Sequence, residues 1–363
     1  MNDFAGLDST TQRVALAVLR HGPVSRAELR QLLGLSAPSL TRLTKPLVSR
    51  GLLVECEPVA QQVSGRPSVP LEVNAASTHV IGAKFVADAL YAVVTDLKGS
   101  VVDSAVVQRP FPTPQEAADA LAELAQGWQQ DWHPAGLGVS LGANVGSDGT
   151  INRVSFLGWP STPFGEILEQ TTGLDTVVAN DVHAFTLAEH WFGFGRGVTD
   201  FAVATLGAGV GVGLVCGDEL VTGLGGAAGR VGDVTLDDGR RLRDVAVTET
   251  IEQRASHALG RDLSVCDLPE LVHEPRIQVI LDDVARAIGQ LVGQVCLFTA
   301  PERVLISGEG AVLLENHERA LHEGIARYAR LPHDRLGIES LGFDEWARGS
   351  AAMAIRAYMT PRE

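Results

Sequence analysis

Residues 22–51 read GPVSRAELRQLLGLSAPSLTRLTKPLVSRG, and this stretch decides the architecture of the N-terminal segment. Gly22-Pro23 closes a helix that the pattern places over Thr10 to His21. Ser25 can cap a short second helix over Arg26 to Leu33, with Ala27, Leu29, Leu32 and Leu33 expected to face inward. Gly34-Leu35-Ser36 makes a tight turn, and Ser36 can cap a third helix in which Leu40, Leu43 and Leu47 recur at i, i+3 and i+7. Ser39, Thr41, Arg42 and Lys45 are left on the opposite side. Pro46 removes a backbone donor and is expected to kink or end the third helix early. Two helices joined by a three-residue, glycine-containing turn, the second polar and basic outside, form the helix-turn-helix pattern.

Past Gly51, Leu52-Leu53-Val54 runs into Glu55 and Cys56 as a strand, and Val69 to Val73 can return as its partner. The polar loop between them holds Gly65-Arg66-Pro67, making a β-wing. An extended Arg66 suits a narrow groove, where negative potential is concentrated. The expected DNA contacts are Ser36, Ser39, Thr41, Arg42, Lys45 and Arg66. The plainer alternative is a small helical protein-binding domain with solvated charges.

Charge supports confinement of any DNA contact to this segment. Residues 1–75 carry eight Lys or Arg against six Asp or Glu, a balance of +2 in a chain of net charge −15. The remainder, at −17, repels phosphate. The 363 residues suffice for two or three domains. The opening MNDFAGLDST has neither a basic n-region nor an apolar run, so no signal peptide is expected. No apolar run long enough to span a membrane occurs. Cys56, Cys216, Cys266 and Cys296 lie far apart, which fits reduced, buried thiols in a cytoplasm better than disulfides or a Cys-rich zinc site.

From Ser77 the pattern becomes short strands and amphipathic helices. Strands are expected at Val80–Val86, Ala89–Asp96, Ser100–Val107, Gly136–Leu141 and Thr176–Ala179, with helices at Pro114–Trp128, Thr162–Thr172 and Asp181–Trp191. A second round starts at Phe201: strands over 201–205 and 211–216 around a Gly-rich turn, a long helix Ile277–Thr299, a strand 303–306 and a further helix. Strand hairpins followed by helices, repeated once, give an α/β protein of two lobes with a cleft between them. The expected domains are 1–76, 77–195 and 196–363.

These residues resemble the ROK family (repressors, open reading frames and kinases), of the actin-like ATPase fold. The strings that carry the resemblance are Arg50-Gly51-Leu52-Leu53-Val54 with Gly65-Arg66-Pro67-Ser68, Gly138-Val139-Ser140-Leu141-Gly142, and Leu157-Gly158-Trp159. They continue with Asn180-Asp181-Val182-His183-Ala184, Leu206-Gly207-Ala208-Gly209-Val210-Gly211-Val212-Gly213, and Trp346-Ala347-Arg348-Gly349-Ser350. With the winged segment in front, the whole chain is similar to the family's xylose- and N-acetylglucosamine-type repressors.

The resemblance also shows where chemistry is missing. A ROK kinase carries D-x-G-G-T after its first strand; here the aligned string is Lys84-Phe85-Val86-Ala87, and the side chains of Val86 and Ala87 obstruct a phosphate. No productive ATP site is expected. The Gly207–Gly213 loop survives, although a hairpin turn with positive-φ glycines is the preferred explanation of it. Asn180-Asp181 retains the family's sugar-binding pair, in which the Asp is the general base; capping of the following helix is the plainer role. The family's A-G-E-x-G-H has become Ala228-Gly229-Arg230-Val231-Gly232-Asp233, and its zinc-binding cysteine cluster is absent, so neither zinc nor any other cofactor is expected. Phe156 replaces the family's Asn before L-G-W.

The expected ligand site is Gly142, Asn180, Asp181, Arg230 and Asp233, with no catalytic residue. Arg230 either pairs with Asp233 and closes the pocket, which is preferred, or receives a sugar phosphate or sugar acid. The expected function is a cytoplasmic, homodimeric or tetrameric repressor of carbohydrate genes. It would bind double-stranded DNA at an inverted-repeat operator and respond to a small effector. The alternatives are a carbohydrate kinase with an accessory DNA-binding domain, and a body that serves only as a dimerisation or docking scaffold.

Overall fold

The computed structural model describes residues 3–58, 68–152, 154 and 156–360. Three helices open the chain: α1 (Ser9–His21), α2 (Arg26–Leu33) and α3 (Ala37–Ser49). The caps fall where expected. Ser25 and Glu28 form a reciprocal capping box on α2, and Ser36 accepts from the Ser39 N–H at the start of α3. Gly34 ends α2 with φ 65°, a left-handed conformation that glycine adopts without strain.

Two expectations fail here. Of the four apolar residues assigned to the inner face of α2, only Leu29 is buried; Ala27 and Leu32 are exposed and Leu33 is half-buried. A helix of eight residues makes two turns, and Leu29 takes the covered place in them. Nor does Pro46 end α3, which continues to Ser49. The proline stands in the last turn, where its missing N–H deletes one ladder bond, and its own carbonyl still accepts from the Arg50 N–H at 3.0 Å. Strands β1 (Leu53–Glu55) and β2 (Leu71–Val73) pair antiparallel, completing the stem of the wing.

The next segment builds a five-stranded sheet from β3 (His79–Phe85), β4 (Leu90–Asp96), β5 (Val101–Val107), β6 (Leu137–Leu141) and β7 (Thr176–Asn180), in the order β5-β4-β3-β6-β7. The hairpin strands run antiparallel, whereas β3, β6 and β7 run parallel. Helices α4 (Pro114–Trp128), α5 (Phe164–Thr172) and α6 (Asp181–Phe192) connect or follow them. Phe85, Phe111, Trp159 and Phe164 cluster edge to face, with ring centroids 5.1–6.1 Å apart among the recorded pairs. Trp159 Nε1 donates to the Phe111 carbonyl at 2.8 Å, so the Trp of L-G-W is a core anchor.

The second round repeats this topology. Its sheet holds β8 (Phe201–Leu206), β9 (Val210–Cys216), β10 (Glu219–Leu220), then β11 (Arg303–Ser307) and β12 (Leu336–Glu339), in the order β10-β9-β8-β11-β12. Around it lie α7 (Arg243–Ala246), α8 (Thr248–Leu259), α9 (Pro275–Thr299) and α10 (Glu318–Ile325). Ile280, Val284, Ile288 and Leu291 of α9 are buried in the core of this lobe.

The last helix, α11 (Phe343–Met359), departs from the expected partition. The chain divides into one compact unit of 1–197 with 343–363, and another of 198–342. Helix α11 packs on β3, β6 and α6, and the strand glycines explain how closely. A Cβ at Gly82 would stand 2.1 Å from the Ala347 carbonyl oxygen, and one at Gly138 would stand 1.8 Å from that of Ser350. Only glycine lets the helix backbone lie on those strands. Among the described residues, no helix is long and apolar enough to cross a membrane.

Candidate DNA-binding face and candidate ligand site

The three leucines of α3 are buried as expected, and Thr44 with them. Thr44 donates to the Leu40 carbonyl at 2.9 Å and accepts from Arg26 Nε, while Arg26 pairs with Glu55 at 2.8 Å. Helix α3 is thereby fixed against α2 and β1. Its other face presents Thr41, Arg42 and Lys45 to solvent, with Ser39 half-buried. The hydroxyls are already engaged: Ser36 Oγ lies 2.9 Å from Ser39 Oγ, and Thr41 Oγ1 donates to the Ala37 carbonyl at 3.1 Å. Arg42 and Lys45 have no hydrogen bond or ion pair among the described residues, leaving both cations available to an external anion. Arg66 lies outside the described residues.

The ligand-site residues fall into two groups. Gly142, Asn180 and Asp181 belong to the first compact unit, Arg230 and Asp233 to the second. In the first group, the sheet register does the positioning. Lys84 pairs with Ser140, and Leu141 with Asn180, so Lys84, Gly142 and Asp181 stand at the carboxyl ends of three adjacent parallel strands. Ligands of open α/β sheets bind at such ends.

Asn180 is the N-cap of α6. Its Oδ1 accepts from the N–H groups of Val182 (3.0 Å) and His183 (3.2 Å), and its Nδ2 donates to the Ala143 carbonyl. The capping role thus belongs to Asn180 rather than Asp181. Asp181 Oδ1 accepts from the Val182 N–H at 2.9 Å, and its Oδ2 forms an ion pair with Lys84 Nζ. Lys84 is only 6% exposed, and its ammonium lies 5.2 Å from the ring centroid of Trp346. Trp346 in turn stacks on Phe185 of α6, at 4.6 Å and 18°. A Cβ at Gly142 would stand 3.5 Å from both Asp181 Oδ2 and the Phe156 ring, so these groups share one small space.

Lys84 and Asp181 stand out separately in the sequence, but their pairing does not. The available signal was a lysine at the end of the otherwise apolar strand HVIGAKF, since a buried ammonium requires a carboxylate. The partner was not legible, because 97 residues separate the two. Trp346 was quoted only as part of a matching string. Glu309 was missed as well.

In the second unit, the Gly207–Gly213 loop is the β8–β9 hairpin. Its glycines do not take the positive φ expected of them. A Cβ at Gly207 would stand 2.4 Å from the Glu309 carboxylate, the movable end of a flexible side chain, which accepts from the Ala208 N–H at 2.7 Å. A carboxylate of the chain itself therefore takes one donor of the loop.

Arg230 and Asp233 do not pair. Asp233 is bound by Arg243 at 2.9 Å and Arg241 at 3.2 Å, both in the stretch just C-terminal to it. The Arg230 backbone bridges to Gly211, and its exposed side chain has no partner among the described residues. The preferred reading of a closed Arg230–Asp233 pair is thus replaced by an Asp233 shared between two other arginines. The cysteines are free thiols, but not buried ones: Cys216 and Cys266 are exposed, and Cys56 and Cys296 are half-buried.

The chain is similar to known transcriptional regulators and kinases. The chain is 23% identical over 342 residues to the DNA-binding transcriptional dual regulator NagC of Escherichia coli K12, covering 84% of this chain and 82% of that one. It is 26% identical over 236 residues to the xylose repressor of Caldicellulosiruptor bescii; there the match spans 62% of this chain and little more than half, 58%, of the relative. Among solved structures, a ROK family transcriptional regulator described as a homologue of the E. coli MLC protein superposes with a TM-score of 0.78 at 21% identity, over 96% of each chain. A ROK hexokinase from Thermus thermophilus superposes with a TM-score of 0.66 at 26% identity, over 76% of this chain and 98% of that one. The model of the ROK family matches residues 81–357, from the strand that carries Lys84 to the helix that carries Trp346, and the chain belongs to the ROK family.

Proposed function

We propose that this chain is a sugar-responsive transcriptional repressor of carbohydrate genes. Its winged segment binds double-stranded DNA at an inverted-repeat operator, as a homodimer or tetramer in the cytoplasm, and its ROK body senses an effector without transferring phosphate. The observation that carries the reading is α3, an exposed row of Thr41, Arg42 and Lys45 on a helix locked from behind by Leu40, Leu43, Thr44 and Leu47. Such a helix can enter a major groove, with its cations on phosphates and base edges. The names of the repressor relatives support the same reading.

A second reading, a carbohydrate kinase with a DNA-binding appendage, draws on the hexokinase neighbour. Two contacts oppose it. The carboxylate that would act as base on a sugar hydroxyl is held by the ammonium of Lys84. An N–H of the second glycine loop, that of Ala208, is taken by Glu309. A carboxylate paired with an ammonium is a weaker base toward a sugar hydroxyl, and an N–H already bonded is not offered to a phosphoryl donor.

Selection of duplexes from a random pool by the full-length protein, followed by titration of the enriched sequence, tests the reading. Enrichment of an inverted repeat is expected. Failure to retain any duplex at low salt, or ATP-dependent phosphorylation of a sugar that is lost in Asp181→Asn, would overturn it.

A further inference from the structure

Two helices touch the Lys84–Asp181 pair, and both reach the winged segment. Helix α6 begins at Asp181. Just past its end, Arg196 Nη2 donates to the Gly22 carbonyl at 2.6 Å, in the turn between α1 and α2. Helix α11 begins beside the same pair, with Trp346 under the Lys84 ammonium. Its 17 residues extend about 25 Å to Tyr358. Tyr358 donates its hydroxyl to Asp3 Oδ2 at 3.0 Å and meets the fully buried Phe4 ring edge to face at 5.6 Å. The Asp3 carbonyl accepts from Arg50 Nη1 at 2.8 Å, and Arg50 caps the carboxyl end of α3.

Both helices are also clamped to each other and to the strand that carries Lys84. Ser350 of α11 donates to the Ala83 carbonyl at 2.8 Å and bonds Ser140 Oγ at 2.7 Å, and a Cβ at Gly349 would stand 2.8 Å from the Phe185 nitrogen. Close-packed contacts of this kind transmit a displacement rather than absorb it.

Resting on the repressor reading, we propose that α6 and α11 form a yoke that couples the Lys84–Asp181 site to the winged segment through two links, Arg196–Gly22 and Tyr358–Asp3/Phe4. A ligand that draws Lys84 or Asp181 out of their pair shifts Trp346 and the start of α6. The far ends of the two helices then change the hold on the α1–α2 turn and on the end of α3. Coupling of this sort is reciprocal, so DNA on α3 changes the affinity of the site by the same factor.

Amide hydrogen exchange of the full chain tests the coupling without requiring either ligand. The site is perturbed by Lys84→Met, and separately by the charge-balanced Lys84→Met/Asp181→Asn. Exchange is then read at residues 4–13 and 47–52. A change of about threefold or more in those segments is expected in the native background. It should be abolished when Tyr358→Ala, which removes both the hydroxyl and the ring, and Arg196→Ala are added. No change in the native background, or an equal change with both links removed, overturns the proposal. Failure of the unmodified protein to bind duplex DNA would instead sink the repressor reading and leave these exchange results standing.

Discussion

Lys84, on the last turn-side position but one of β3, and Asp181, the first residue of α6, form a largely buried ion pair 97 positions apart in the chain. Their side chains are 7% and 15% exposed. Removing one partner strands a charge in low dielectric, whereas removing both leaves two neutral groups of similar shape. Lys84→Met and Asp181→Asn should each lower unfolding stability by about 3–5 kcal/mol, and the double variant should recover most of that loss. Urea midpoints of the four proteins give the answer. Additive losses in the double variant would show that the pair is not coupled.

Salt dependence separates the two cations of α3. If Lys45 rests on phosphate, Lys45→Ala weakens every duplex alike and reduces the magnitude of the slope of log affinity against log salt by about one. If Arg42 reaches base edges, Arg42→Ala costs about 1–3 kcal/mol on the preferred sequence and little on random DNA. Anisotropy titrations at several salt concentrations distinguish them. Unchanged binding in both variants would remove α3 from the interface.

The sequence made the winged helices and the first sheet legible because their signals are local. Ser25 with Glu28, Gly34 and Ser36 mark helix ends by chemistry completed within three or four residues. The short apolar runs of β3 and β4 likewise needed no distant partner. What stayed hidden depends on contacts made far along the chain. The glycines of β3 and β6 look like weak strand residues until α11, more than 200 positions later, lies across them. Asp233 has Arg230 three residues before it and Arg243 ten after it, and spacing alone favoured the wrong one. The glycines of the second loop suggest turn conformations with positive φ, which none of them adopts.

Acid should loosen the winged segment through His21. Burial, with Arg20 and Arg196 nearby, holds its pKa below the usual value near 6.5. The folded state therefore binds fewer protons than the unfolded state in that range, and stability rises with pH. The contribution is fully present above the unfolded value and is lost as pH falls through and below about 6.5. The melting temperature should drop between pH 7 and pH 5.5, and by less in His21→Gln. An equal drop in both proteins would assign the effect to other groups, among them His322, whose pKa is also lowered by burial and by His333.

Arg230 decides what kind of effector to seek. Its guanidinium offers five donors and no acceptor, and Asp233 is already held by Arg241 and Arg243. If Arg230 meets a ligand, that ligand presents oxygen acceptors, and anionic ones satisfy it best. A sugar phosphate or uronate should then bind more tightly than its neutral parent, by about 1.5–3 kcal/mol where the charged hydrogen bond is shielded from solvent. Arg230→Glu should reverse that order. Asp233→Asn should leave it standing, because the side chain removed belongs to two other arginines. Calorimetric titration of matched neutral and anionic sugars against the three proteins measures both differences. Tighter binding of the neutral sugar to the unmodified chain would exclude Arg230 from the site. Anion binding that appears only in Asp233→Asn would restore the Arg230–Asp233 pair that the structure replaces.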